Sequence, residues 1–600
     1  MIVDVKCDLL SLDIPPEDYT VIYRIESTDD SNNALLFLSA LLTFRVLKDG
    51  SYITSIFDFF IFKDKIKGLS LPIQINLTNK ALEVCKQFLT QLKEVQEIKN
   101  GKWNDRIHST LKHQPYEDQK AATAFLIARK KAGNFSSVGI GKTITSFTAF
   151  NVLKGQGLIT KGLAFIRNEN KDTWLEQLVD HTDYNYTIVR NGSESVLNDI
   201  KNFNGDFLVV HYDCILNEEV QKALIKHDFK FWVVDEAHTL RNADKIKKNK
   251  KTDKMEYTSQ RSAVLYKLRD IMMPVYIIPM TGTPIGERPL DAYGIIRLLK
   301  PNLLPSRTKF EDHFCNFIRI RRKPTDKFKI PILNKKNPYR NLDQLAKYFE
   351  MLSYRQTHAD VKDFPPTVIK PKYYELEDDQ RALYERIKSE TFKEIAKIPE
   401  KALNLEHIFV KTLRLRQCLS HPIIVGENKV SSIKFKELDV LLEEILTERD
   451  AKVVIFSPHR DSLELIANKY KDQYGAGLFA GINQDLKLEE RNENVQNFLN
   501  NPFNRVLAAN TKLGAGGNWQ VSRTCIFLDL TIRLEWIQSC GRIQRRNAIG
   551  TSVIMPFIIK DTIDEKIWKQ LFNKQSYVDQ IMRPDSEVVI EKEKALELFR

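Results

Sequence analysis

Cysteine is scarce in this 600-residue chain, and its seven copies stand singly. Cys7, Cys85, Cys214, Cys315, Cys418, Cys525 and Cys540 include no C-x-x-C pair, which argues against a zinc ribbon or a disulfide framework and fits a reducing compartment. Long apolar runs are lacking as well. SALLTF and YITSIFDFFIF fall short of the ~18–20 residues that span a bilayer, and the N-terminus has no basic-then-apolar leader. No internal repeat, low-complexity tract, nuclease, methylase or zinc motif is visible. These absences lead us to expect a soluble intracellular chain with no membrane attachment.

The composition present is that of an ordinary folded protein, 42% hydrophobic and 28% charged. The length predicts three or four structural units. A net charge of +13 suggests a polyanionic partner, nucleic acid first, although a lysine excess also serves solubility.

Residues 1–108 alternate apolar and polar segments and then show helical spacing in LTNKALEVCKQFLTQLKEVQ, which predicts a small α+β unit. Across 109–304, the short β-rich runs GLAFIRN, DFLVVHYD, KFWVVDE and PVYIIPM alternate with helices, the pattern of a parallel sheet covered on both faces. Residues 305–430 are richer in charge and helix, with breaks at Pro331, Pro338 and Pro365-Pro366, and are expected to form a helical insertion. KVVIFSP, RVLAAN and TCIFLDL restart the strand–helix alternation over 431–560, and a charged helical tail occupies 561–600.

Two strings carry chemistry. SSVGIGKT, Ser136 to Thr143, matches a phosphate-binding loop at Gly141-Lys142-Thr143, with Ser136 where the first glycine usually stands. In such a loop Gly139 and Gly141 let backbone N–H groups curl round phosphates, Lys142 neutralises their oxygens and Thr143 ligates Mg²⁺. FWVVDEAHTL then ends an apolar run on Asp235-Glu236-Ala237-His238. Asp235 is the expected Mg²⁺ partner and Glu236 the base for the attacking water, while His238 suits a coupling role. Alone, the first string also reads as a glycine turn before a helix, and acidic residues at a strand end also cap helices; together the two strings point to ATP and Mg²⁺.

Further strings extend the match. PYEDQKAATAFL, LAFIRNENKDTWLEQL, DFLVVHYDCI, MTGTPIGERPLDAYGIIRLLKPNLL, LRLRQCLSHP, ANTKLGAGGNWQ and EWIQSCGRIQRRNAIG follow in order. With them the chain resembles the helicase superfamily-two ATPases, specifically the Swi/Snf-type branch of double-strand DNA translocases, over roughly residues 111–582. The resemblance implies two RecA-like parallel-sheet lobes, at 109–304 and 431–560, with the helical insertion between them, the α+β domain in front and brace helices at 561–600. It implies Gln119 as the adenine-reading glutamine and Trp174 as a first-lobe DNA contact. Thr281 and Thr283 become coupling residues, and Gly516 approaches the nucleotide. Gln538, Arg542 and Arg545 reproduce the arginine-finger spacing, and arginines three apart share one helix face. Departures are Arg167 for a proline, Val138 before Gly139, the missing Trp-Asn-Pro after Asp529, and Ala548 for a glutamine.

Two basic runs remain. Six lysines lie between Lys245 and Lys254, and nine basic residues between Arg319 and Arg340 stand against one acid. Phosphate neutralisation by such residues gives sequence-independent binding. The first run reads equally as a solvated face. For the second, including Arg319, Arg321, Arg322, Lys323 and Lys327, the DNA reading leads, because the resemblance places it beside the duplex. The expectation is an ATP- and Mg²⁺-dependent translocase on double-strand or forked DNA, serving replication, repair or recombination. Its rivals are a strand-separating DNA or RNA helicase and a DNA-binding scaffold with a degenerate ATPase. The expected location is the cytoplasm of a bacterium or phage-infected cell, or the nucleus of a eukaryote.

Overall fold

A computed structural model describes strands at 4–9, 20–26, 44–46, 52–55 and 75–77, then residues 79–101, 103, 107–244, 246–248, 255–286, 288–301, 303, 306–320, 330–334, 337–362, 364–396, 413–480, 486–513, 517–548 and 550–573. The chain divides into two compact units. The first holds Met1–Ser137 and Gly141–Gln356, and the second holds Val138–Ile140 and Thr357–Gln575.

The first unit opens with five strands: β1 (Asp4–Leu9), β2 (Thr20–Glu26), β3 (Phe44–Val46), β4 (Tyr52–Ser55) and β5 (Ile75–Leu77). They form one sheet in the order β3-β4-β2-β1-β5, antiparallel except where β5 runs parallel to β1. Helix α1 (Asn79–Lys99) follows, then α2 (Glu117–Arg129), the short β6 (Gly133–Asn134) and α3 (Lys142–Gly155).

The second sheet of this unit is wholly parallel. Its strands are β7 (Gly162–Ile166), β8 (Tyr186–Ile188), β9 (Phe207–His211), β10 (Phe231–Val234) and, after the hairpin β11 (Ile246–Lys248) and β12 (Met255–Tyr257), β13 (Tyr276–Pro279). Helix α4 (Lys171–His181) connects β7 to β8. The order is β13-β10-β7-β9-β8, and single parallel bridges from Lys131 to Ile277 and Asn134 to Met280 set β6 beside β13. Both faces are buried. Leu163, Phe165, Leu208, Val210, Trp232 and Val234 enter one core, and Ala164, Ile166, Phe207, Val209, Phe231 and Val233 the other. That explains why these strands are apolar without alternation.

Residues 305–430 do not fold as a body of their own. Up to Gln356 they belong to the first unit, where β14 (Phe317–Ile320) and β15 (Ile330–Leu333) form a hairpin and β16 (Ser353–Tyr354) pairs with β6. Beyond it they join the second unit, where β17 (Thr367–Ile369) and β18 (Lys372–Tyr374) pair with β23 (Ser552–Ile559). Strand pairing at both ends decides this, and the helical spacing of the segment carries no trace of it. Arg319 lies on β14, while Arg321, Arg322, Lys323 and Lys327 fall outside the described residues.

The second unit also contains α5 (Leu413–Ser420), α6 (Ile433–Ile445), β19 (Val453–Ser457), β20 (Gly477–Phe479), β21 (Val506–Asn510), β22 (Thr524–Phe527), α7 (Arg533–Ile543), β23 (Ser552–Ile559) and α8 (Ile563–Asn573). The central sheet runs β17-β23-β22-β19-β21-β20, all parallel. Its two faces again feed separate cores, Val454, Phe456, Leu507 and Phe527 on one side and Val453, Ile455, Val506 and Ile526 on the other. The protein is thus α/β, with two parallel-sheet lobes. No helix among the described residues is long and apolar enough to cross a membrane.

A buried charge cluster closes the second lobe. Lys434, on α6 and fully buried, pairs with Asp529 after β22 at 3.1 Å and with Asp564 on α8 at 2.8 Å. Ser420 and Ser457 each donate to Asp529 at 2.7 Å, so α5, α6 and β19 meet at the carboxylate that follows β22, and Lys434 ties α8 to it. Beside it His459 is buried with Nε2 unpartnered, and burial pushes its pKa down to about 4. Lys434→Met should strand two buried carboxylates and lower stability by roughly 3–5 kcal/mol, as measured by chemical denaturation. His459 predicts a pH effect of definite sign. Because its folded pKa is depressed, its contribution is complete above the unfolded value of 6.5 and is lost as pH falls toward about 4. Between pH 6.5 and 5 the loss should be about 2 kcal/mol, and a His459→Gln variant should show a correspondingly flatter pH dependence.

Candidate nucleotide site

In a sheet buried on both faces, polar side chains gather at the strand ends. Here β6, β7, β9, β10 and β13 deliver, immediately past their carboxyl ends, the loop beginning at Phe135, then Arg167, Tyr212, Asp235 and Met280-Thr281. Open parallel sheets bind ligands along that edge.

The phosphate-loop string forms a turn between β6 and α3. Gly139 and Gly141 have φ of +87° and +100°, in the left-handed region that disfavours side chains. At Gly141 space forbids one as well, since a Cβ would stand 2.3 Å from Nε2 of Gln119. Gln119 is buried on α2, and its Oε1 accepts from the Tyr116 N–H at 3.0 Å. The structure therefore seats Gln119 against the loop's last glycine. Lys142, the first residue of α3, turns its Nζ back to donate to the carbonyls of Ser136 and Ser137 at 3.0 and 3.1 Å. Thr143 follows in the first helical turn, half-buried. A support that sequence reasoning missed is Gln356. Its carbonyl accepts from the Ser137 N–H at 2.8 Å and its N–H donates to Ser136 Oγ at 3.2 Å. No motif announced it, because it lies 220 residues away in the chain.

The acidic box is built around a buried carboxylate. Asp235 Oδ2 accepts from Trp174 Nε1 at 3.1 Å and from Asn170 Nδ2 at 3.2 Å, and Oδ1 accepts from the Glu236 N–H at 2.9 Å. The Tyr212 hydroxyl donates to the Asp235 carbonyl at 2.5 Å. Burial, then the neighbouring Glu236 charge, pushes the Asp235 pKa up to about 6. Glu236 has a left-handed φ of +48°, unusual for a side-chain-bearing residue and of the kind found at functional turns. Burial alone would raise its pKa, but His238, Lys142 and Arg167 outweigh that and hold it below the usual carboxylate range. His238 Nδ1 lies 3.0 Å from Glu236 Oε2 and 3.2 Å from Thr281 Oγ1, which in turn accepts from the Thr283 N–H at 3.1 Å. A chain of polar contacts thus runs from Glu236 to Thr281 and Thr283, the residues expected to couple the cycle.

Trp174 departs from expectation. Its side chain is only 2% exposed and packs edge-on to Phe147, so it presents no surface to a duplex and serves the carboxylate instead. Arg542 and Arg545 also differ from the shared-face picture. Helix α7 ends at Ile543, leaving Arg542 in its last turn and Arg545 beyond it. In the second unit Arg542 is buried with its guanidinium 4.3 Å from the Trp519 ring centre, and Arg545 Nη2 donates to the Gly517 carbonyl at 3.1 Å. Gln538 is buried on α7, and Gly516 lies outside the described residues.

Asp235 and Thr143 are the residues that would hold Mg²⁺. No group of three or more His, Cys, Asp or Glu side chains able to hold a metal gathers among the described residues.

Residues 119–424 match the model of the SNF2-related domain, and residues 434–547 match the helicase conserved C-terminal domain. An uncharacterized ATP-dependent helicase of Mycoplasma genitalium is 24% identical over 322 residues, 52% of this chain and 28% of that protein. The mouse chromodomain-helicase-DNA-binding protein 1-like is 22% identical over 362 residues, 58% of this chain and 36% of that protein. The chain therefore spans well under half the length of these curated relatives. The solved Sulfolobus solfataricus SWI2/SNF2 ATPase core in complex with dsDNA is 21% identical, with coverage of 80% of this chain and 95% of that one and a TM-score of 0.37.

Gly141→Ala should weaken ATP binding by about tenfold or more, the effect of ~1–3 kcal/mol of strain. Titration with a fluorescent ATP analogue measures this, and circular dichroism should remain unchanged.

Proposed function

The chain belongs to the SNF2-related family, and we propose that it is an Mg²⁺-ATP-driven translocase acting on double-strand or forked DNA. The observation that carries the ATPase reading is the carboxyl edge of the parallel sheet in the first unit, where the Asp235–His238 turn and Thr281 follow adjoining strand ends and Lys142 opens the helix after the phosphate loop. In this reading the phosphate loop and Lys142 bind the triphosphate, and Asp235 with Thr143 holds Mg²⁺. Glu236, kept ionised by His238 and Lys142, accepts a proton from the attacking water. Arg542 and Arg545 are the candidates for stabilising charge in the transition state.

The net charge of +13 and the nine basic residues between Arg319 and Arg340 favour a polyanionic track. Arg319, Arg321, Arg322, Lys323 and Lys327 are our candidates for phosphate contacts. Within this reading we place the translocase in replication, repair or recombination. The second reading is a strand-separating DNA or RNA helicase, favoured by the helicase names of the relatives.

ATP turnover compared across single-strand DNA, duplex, forked DNA and RNA tests the substrate. Duplex or fork should stimulate most, and stimulation by RNA alone would overturn the proposal. Displacement of a third strand from a triplex, without release of an annealed strand, separates translocation from unwinding. Glu236→Gln should retain ATP binding and lose about 10²–10⁴-fold in turnover. Arg545→Ala should likewise bind ATP, with turnover reduced by about 10³-fold or more; equal loss of binding would make Arg545 a structural residue.

A further inference from the structure

The turn joining β7 to α4 places an unassigned amide against the metal-side carboxylate. Asn170 is 5% exposed, and its Nδ2 donates to Asp235 Oδ2 at 3.2 Å. Trp174, one helical turn on, donates to the same oxygen at 3.1 Å. A carboxylate oxygen offers about two acceptor sites, so Oδ2 is saturated. Oδ1 receives only the Glu236 N–H at 2.9 Å and keeps a lone pair. The two neutral donors therefore fix the rotation of the carboxylate and decide which oxygen is offered to a cation.

The other end of the Asn170 amide points to what the arrangement serves. Its Oδ1 is buried without a hydrogen-bond partner. Exchanging amide oxygen and nitrogen would set a carbonyl oxygen against the Asp235 carboxylate, so the orientation is fixed by repulsion. A buried acceptor lacking a donor costs about 1–3 kcal/mol, and its neighbour is the expected Mg²⁺ ligand. Hydrated Mg²⁺ keeps several waters, each of which donates.

We propose that Asn170 and Trp174 are positioning residues for the ion, holding Asp235 through Oδ2 so that Oδ1 faces Mg²⁺, with Asn170 Oδ1 accepting from a water of its shell. The inference rests on the reading of Asp235 as the Mg²⁺ partner. Outer-shell partners of this kind typically contribute 10–100-fold to metal affinity.

The test uses the full chain and a fluorescent, non-hydrolysable ATP analogue titrated in EDTA and then against Mg²⁺, with Mn²⁺ binding followed by electron paramagnetic resonance. Asn170→Leu removes both amide groups at similar volume, and Trp174→Phe removes only the indole N–H. Asn170→Leu should raise the Mg²⁺ midpoint by about tenfold or more and weaken Mn²⁺ binding in parallel. Nucleotide affinity in EDTA should stay unchanged. Trp174→Phe should move the midpoint in the same direction by a smaller factor, and it carries the test if the leucine variant fails to fold. A wild-type Mg²⁺ midpoint in both variants overturns the proposal, as does equal loss of affinity with and without metal. If wild-type nucleotide binding shows no Mg²⁺ dependence, the reading of Asp235 itself falls.

Discussion

A parallel sheet covered on both faces leaves its chain only one place for polar chemistry, and the first lobe is arranged around that constraint. Val233 and Val234 point into opposite cores, so no charged side chain fits before Asp235. The same holds on β7, where Ile166 is the last buried strand residue before Arg167. Strands running in one direction bring these exits together. The phosphate loop, the acidic turn and Thr281 are neighbours because β6, β13 and β10 are neighbours.

The two lobes handle a buried carboxylate in opposite ways. Asp529 is compensated from within, by the Lys434 ammonium and two serine hydroxyls, which outweigh burial and hold its pKa low. That cluster ties Asp529 to α5, α6 and β19 by direct bonds, and Lys434 links it to Asp564 on α8. Asp235 receives only neutral donors on its carboxylate, and burial with Glu236 beside it pushes its pKa upward. A carboxylate left electrostatically unsatisfied in this way is suited to receive a cation, whereas one already paired is suited to hold a fold together. The residue type is identical, and the surroundings separate the roles.

Glu236 shows how backbone and electrostatics act together. Its left-handed conformation ends β10 abruptly and turns the side chain toward His238, whose Nδ1 lies near both Glu236 and Thr281. A regular strand continuation would send the two acidic side chains to opposite faces of the sheet. Strain at this turn is the condition for both serving one edge.

Much of this was legible in the chain itself, because it depends on local pattern. Unbroken apolar runs such as GLAFI and FWVV mark strands buried on both faces, and the glycines at 139 and 141 mark a loop that needs positive φ. The acidic pair at the exit of such a strand marks the polar edge of the sheet. Partner identity was not legible. Trp174 reads as a surface contact until the fold carries it to Asp235, 61 positions later. Asn170 lies in the same string, LAFIRNENKDTWLEQL, where nothing singles it out. Arg542 and Arg545 share a helix face only if the helix continues, and it stops at Ile543. Residues 305–430 look like one insertion until pairing of β16 with β6 and of β17 and β18 with β23 assigns their ends to different units. Periodicity and spacing report conformation and burial, which each short segment determines for itself. Which side chain meets which carboxylate is decided by contacts closed across tens to hundreds of residues, and those exist only once the sheets have formed.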